Sequence, residues 1–122
     1  MAKILIAEDD AKSRDLLSQR LQSWGYQVVT ACDGADALER TEREGFDLIL
    51  SDWIMPRLTG IELCETLRAS EGTEHIPMIL LSTKKTQADV AKAYDSGVDD
   101  FIAKPFDKSD LETRISRALS PG

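Results

Sequence analysis

Apolar residues along this chain follow two alternating rhythms. Short runs rich in Ile, Leu and Val read as strands, and the longer stretches between them carry apolar residues three or four apart, the period of a helix. The first strand covers Lys3 to Ala7, and a helix follows with Leu16, Leu17, Leu21 and Trp24 on one stripe. Gly25 stops that helix. Tyr26 to Ala31 is the second strand, Asp33-Gly34 makes a turn, and Ala35, Ala37 and Leu38 begin a helix that ends near Gly45. The third strand, Phe46 to Ser51, is almost continuously apolar, as expected of a central strand covered on both faces. Pro56 to Gly60 is loop, a third helix carries Ile61, Leu63, Cys64 and Leu67, and Ser70 to His75 is a polar connection. Pro77 opens the fourth strand, and Thr86 caps a fourth helix with Val90, Ala91, Ala93 and Tyr94 that stops at Gly97. Asp99 to Ala103 is the fifth strand, and Lys104-Pro105-Phe106 turns the chain. Asp107 caps a last helix with Leu111, Ile115, Ala118 and Leu119, which Ser120-Pro121-Gly122 ends.

Strands alternating strictly with helices predict βαβ units around a parallel sheet. With no repeat and no linker, residues 1–122 read as one domain of α/β class. In such sheets ligands bind at the carboxyl ends of the strands. Four runs end there in polar residues: Ile4 to Ala7 meets Glu8-Asp9-Asp10, and Leu48 to Ser51 meets Asp52. Met78 to Leu81 meets Ser82-Thr83, and Phe101 to Ala103 meets Lys104. Carboxylates, hydroxyls and an ammonium are thus brought to one edge.

Composition narrows the choice. The net charge of −7 disfavours a nucleic-acid or anionic-membrane surface, since phosphate contacts need clustered Lys and Arg. Cys32 and Cys64 have no metal-ligand spacing and the lone His75 cannot complete a zinc set, so both cysteines read as reduced thiols of a cytoplasmic protein. Met1-Ala2-Lys3 is too short for a signal peptide, and no run approaches membrane-spanning length.

Glu8, Asp9 and Asp52 are the hard oxygen donors that Mg²⁺ takes beside waters and phosphate oxygens. Asp52 can be both ligand and nucleophile, because a metal relieves the repulsion between a carboxylate and a phosphoryl group. Each acid alone could equally cap a helix or face water. Lys104 can stabilise charge on a phosphoryl oxygen, and Pro105 restricts it to an extended conformation. Ser82 and Thr83 can donate to that oxygen or cap a turn. Phe101 reads either as core or as an aromatic that swings in and out.

Together these residues resemble the receiver domain of bacterial response regulators, the phospho-accepting half of two-component signalling. The likeness spans the chain and rests on KILIAEDD, FDLILSDWIMPRLTGIELC, IPMILLST and GVDDFIAKPF. It implies a flavodoxin-like, doubly wound sheet of five parallel strands in order 2-1-3-4-5 with five helices. It further implies phosphorylation at Asp52 and a Mg²⁺ site from Glu8, Asp9, Asp52 and the backbone carbonyl of Ile54. Ser82 matches the family's switch hydroxyl, Phe101 its switch aromatic and Lys104 its invariant lysine. The implied donor is a histidine kinase or a histidine phosphotransfer protein. The implied output is a changed surface on the fourth helix, fifth strand and fifth helix, read by a downstream protein or fused output domain, or by a phosphorylation-dependent dimer.

Three positions depart from the family pattern or blur it. The acidic cluster has three members, and the register of the apolar run favours Glu8-Asp9 as the pair, leaving Asp10 to hold a metal-bound water. Serine replaces the commoner threonine at Ser82, and Thr83 stands where a small alanine is usual, with Lys84 next. Bulk and charge at Thr83 and Lys84 bear on water access to an acyl phosphate. The rival class is a Mg²⁺-dependent phosphohydrolase with an aspartyl nucleophile, but Asp52-Trp53-Ile54 lacks the second acid such enzymes carry. A receiver that works without phosphorylation would lack an acid or the lysine, and none is missing. No effector sequence follows Leu119, so the expectation is either a free-standing receiver or a piece of a longer regulator.

Overall fold

Five parallel strands form one sheet in the order β2-β1-β3-β4-β5, namely Gln27–Ala31, Lys3–Ala7, Leu48–Asp52, Met78–Ser82 and Asp100–Ala103. The helices are α1 (Ala11–Ser23), α2 (Gly34–Arg43), α3 (Gly60–Arg68), α4 (Gln87–Ser96) and α5 (Lys108–Leu119). This is the doubly wound, flavodoxin-like topology expected. The computed structural model describes residues 1–120; Pro121 and Gly122, part of the expected chain end, lie outside the described residues.

Strand alternation sorts the core into two layers. Leu5, Ile49, Leu80 and Phe101 pack on one face with Ala37 of α2, Leu63 and Leu67 of α3, and Ala93 of α4. Ile4, Ile6, Leu48, Leu50, Ile79, Leu81 and Ile102 pack on the other with Leu17 and Leu21 of α1 and Leu111 and Ile115 of α5. Most are inaccessible to solvent. Each such Leu or Ile contributes about 1.5–3 kcal/mol of burial.

Each helix starts on a side-chain cap. Asp10, Asp33 and Asp107 accept from backbone amides of α1, α2 and α5. Thr59 and Thr86 form reciprocal capping boxes with Glu62 and Asp89. Gly97 closes α4 at φ 109°.

Several sequence boundaries move. The second strand starts at Gln27, the third runs Leu48 to Asp52 and the fifth starts at Asp100. Phe46 is buried but lies outside β3, under the Lys3 ammonium. Asp99 precedes β5, its carboxylate accepting the Met78 amide at 2.8 Å. Asp33-Gly34 begins α2 directly, Asp33 as the cap and Gly34 as the first helical residue. Leu16 leaves the predicted buried stripe and is 58% exposed. Leu17 and Leu21, four apart, take the sheet-facing side, and at about 100° per residue Leu16 is turned away from it. Tyr94 is likewise largely exposed, its hydroxyl within 3.4 Å of Asp100 Oδ1.

Candidate functional site

Parallel register sets the carboxyl ends of β1, β3, β4 and β5 side by side. Ala7 pairs with Ser51, Asp52 with Leu81, and Ser82 with Ala103. The residues that end or follow those strands therefore share one rim. Glu8 continues β1 through its amide, which donates to Ala31 O at 3.1 Å. Trp53 and Lys104 do the same, donating to Leu81 O and Ser82 O at 3.0 and 2.8 Å.

Glu8, Asp9 and Asp52 each offer a carboxylate oxygen, all within 4.8 Å of one another. Glu8 is buried, Asp52 half-buried and Asp9 exposed. Desolvation, reinforced by a hydrogen bond to Glu8, pushes the Asp9 carboxyl above its ordinary range. Three converging hard oxygen donors with crowded charge suit Mg²⁺. Lys104 Nζ lies 2.5 Å from Asp52 Oδ1 and 3.4 Å from Glu8 Oε1. Burial pulls the ammonium down, yet Asp52 and then Glu8 outweigh it, and its affinity for the proton rises. The Lys104-Pro105 peptide is cis.

A small cleft of about 70 Å³ opens beside these groups, lined by Asp52, Ile54, Leu81, Ser82, Thr83 and Lys104. Ser82 is 3% exposed and its Oγ accepts the Lys84 amide at 2.8 Å. Thr83 is exposed and lines the cleft, while the α4 cap is Thr86. Lys84 lays its ammonium over the Trp53 ring, 5.4 Å from the centroid, and 4.0 Å from Asp89. Phe101 is 8% exposed and packed in the α2-α3-α4 layer, so the aromatic stands inward here.

Asp10 is occupied elsewhere. Its carboxylate accepts the Ser13 amide at 2.8 Å, and that bond lowers its proton affinity. Sequence reading missed Arg14, whose guanidinium donates to the Glu8 carbonyl at 2.9 Å and ties the acidic loop to α1. It also missed the pair Asp33–Arg57, with Nε and Nη2 at 2.8 and 3.0 Å from the two carboxylate oxygens. Neither contact has a local sequence signal.

Residues 4–116 match the response regulator receiver domain family. The chain belongs to that family. It is 36% identical over 117 residues to the alkaline phosphatase synthesis transcriptional regulatory protein PhoP of Bacillus subtilis, covering 96% of this chain and 48% of that protein. The chain thus spans about half the length of the curated regulators it matches. The chemotaxis protein CheY4 of Vibrio cholerae superposes with a TM-score of 0.91 at 33% identity, covering 98% of this chain and 99% of that one. The receiver domain of the sensor histidine kinase PA1611 of Pseudomonas aeruginosa, solved with a magnesium ion in its active-site cleft, gives 0.89 at 31% identity, with 97% of each chain covered. Among the described residues, no helix is long and apolar enough to cross a membrane.

Proposed function

We propose that this chain is the phosphorylatable switch of a two-component or phosphorelay system, with Asp52 accepting a phosphoryl group from the phosphohistidine of a kinase or phosphotransfer protein. The observation that carries the reading is the contact between Asp52 and Lys104 within the cluster that Glu8 and Asp9 complete. Glu8, Asp9, Asp52 and the Ile54 carbonyl would hold Mg²⁺. Bound there, Mg²⁺ would supply positive charge that offsets repulsion between a carboxylate and phosphoryl oxygens.

The chain's own groups do the rest. An Asp52 oxygen forms the O–P bond as the P–N bond to the donor imidazole breaks, and the imidazole leaves with the nitrogen's electron pair. Lys104 then meets a phosphoryl oxygen where it now meets Asp52, and the Ser82 hydroxyl, from the same cleft, donates to another. To do so Ser82 draws on the segment that Lys84 and Thr86 carry into α4, since its Oγ already accepts the Lys84 amide. Such a local charge event acts globally only through an element with two arrangements. In this reading the face of α4, β5 and α5 is that element, with Phe101 on β5 packed into the layer that α4 shares. It would present the signal to a downstream protein, a fused output domain or a second copy. We place the protein in the cytoplasm; both cysteines, Cys32 and Cys64, are free thiols.

Residues 1–122 act as a single domain in this reading. A phosphohydrolase is disfavoured because Ile54 stands where the second acid would be. With Mg²⁺ and a small phosphodonor, intact mass should rise by one phosphoryl group, base-labile and acid-stable, and Asp52→Asn should abolish the gain. The same gain in the variant would remove Asp52 from its role.

A further inference from the structure

Arg57 has a backbone that side chains rarely adopt, φ 68°, in the loop between β3 and α3. The same loop carries Ile54, whose carbonyl belongs to the cation site proposed above. Its guanidinium, 63% exposed, reaches across to Asp33, only 8% exposed, and binds both carboxylate oxygens. Asp33 also caps α2, accepting the Asp36 amide at 2.8 Å through Oδ1. One carboxylate thus anchors the first turn of α2 and the outer limb of the loop together.

The loop is pressed onto that turn. A Cβ added at Gly34 would lie 2.1 Å from the Leu58 carbonyl oxygen, so backbone meets backbone directly beside the clamp. On the inner limb, Trp53 and Met55 are 5% exposed and Gly60 N donates to Trp53 O at 2.8 Å. Ile54, between those two buried residues, is itself 58% exposed and lines the cleft with Asp52. The inner limb is held by packing. The outer limb is tied to α2 by the Arg57 fork, beside Leu58, which packs partly buried against the core.

We propose that Arg57 and Asp33 form a clamp that positions the Ile54 carbonyl, making Arg57 a positioning residue for the cation site without touching it. This rests on the Mg²⁺ reading of that site. A bidentate guanidinium–carboxylate fork fixes direction as well as distance, which one ammonium would not do. The fork thus ties a non-glycine residue held at positive φ to the N-cap of α2.

The sign of the effect separates positioning from simple charge. Arg57 and Mg²⁺ are both cations, so by Coulomb repulsion alone the removal of Arg57 would tighten Mg²⁺ binding. The clamp predicts the reverse. Mg²⁺ affinity is to be measured by Trp53 fluorescence and by calorimetry on the whole chain, well below its melting temperature. Arg57→Ala should weaken Mg²⁺ about three- to tenfold. Arg57→Gly, free to adopt φ 68°, should weaken it as much, because the clamp and not the turn is lost. Asp33→Asn keeps the capping oxygen and should match them, and the double variant should add little. Unchanged or tighter binding in Arg57→Ala overturns the inference, as does full additivity of the pair. A wild type that takes up no Mg²⁺ by either method overturns the cation reading itself, and the clamp's role with it.

Discussion

The ammonium of Lys104 stands 2.5 Å from the carboxylate of Asp52, in a place where three acids crowd together. Both side chains are largely shielded, at 26% and 15% exposure. Without a divalent cation, this lysine is the chief local counter-charge to the cluster. Lys104→Met should therefore lower stability by about 1–3 kcal/mol in chelator, since it strands partly buried carboxylates. Most of that loss should return in saturating Mg²⁺. Urea unfolding with and without the metal checks it; an equal loss in both conditions would mean that packing, not charge, dominates.

Asp9 and Asp10 are adjacent in sequence and differ in task. Asp9 belongs to the converging oxygens, and Asp10 is bonded to the first turn of α1. Asp9→Ala should weaken Mg²⁺ binding more than Asp10→Ala, read through Trp53 fluorescence. Asp10→Ala should instead lower stability through the lost cap. The opposite ranking of affinities would shift the acidic pair one residue along.

Much of this was legible from sequence because it depends on neighbours along the chain. Apolar runs ending in Asp52, Ser82 and Lys104 fix which side chains reach the rim once the strands are parallel. The duty of Asp10 was ambiguous, since an acid after a strand serves equally as a ligand or as a cap. Leu16 misled because three leucines in six residues leave the phase of the stripe open, and only packing against β1 and α5 settles it. The link from Asp33 to Arg57 had no signal at all. It spans 24 residues and needs a positive φ at an arginine, which no local preference announces.

The same link has an acid signature. Hydrogen bonding from Arg57 holds the Asp33 carboxyl below its ordinary value of 3.8. A group more acidic in the folded than in the unfolded chain adds stability above the unfolded value, and that stability is lost as pH falls through the folded one. Wild type should thus lose stability from near pH 4 downward, and Asp33→Asn should show a shallower acid limb from a lower plateau. Chemical denaturation between pH 6 and roughly pH 2 measures both. Parallel acid limbs would assign the acid sensitivity to other carboxylates.

If bulk at the cleft limits water, Thr83 should lengthen the lifetime of an acyl phosphate at Asp52. The alternative duty for this residue, capping α4, falls to Thr86, whose hydroxyl accepts the Asp89 amide at 3.1 Å. Thr83 instead lines the small cleft with Asp52 and Lys104, and also the larger groove of about 510 Å³ that runs past Leu16 and Phe106. A water attacking phosphorus at Asp52 must approach in line with the bond it breaks, through the open side of the cleft. Thr83 is among the residues that line this cleft. Lys84 adds no comparable obstruction, since Trp53 and Asp89 hold its ammonium. Thr83→Ala is accordingly expected to shorten the acyl-phosphate lifetime about two- to fivefold, an effect of roughly 0.5–1 kcal/mol on the barrier. Lys84→Ala should change it less. Phosphate release from pre-phosphorylated protein at saturating Mg²⁺ gives both rates, and an unchanged or slower rate for Thr83→Ala would end the shielding account while leaving Asp52 as the acceptor.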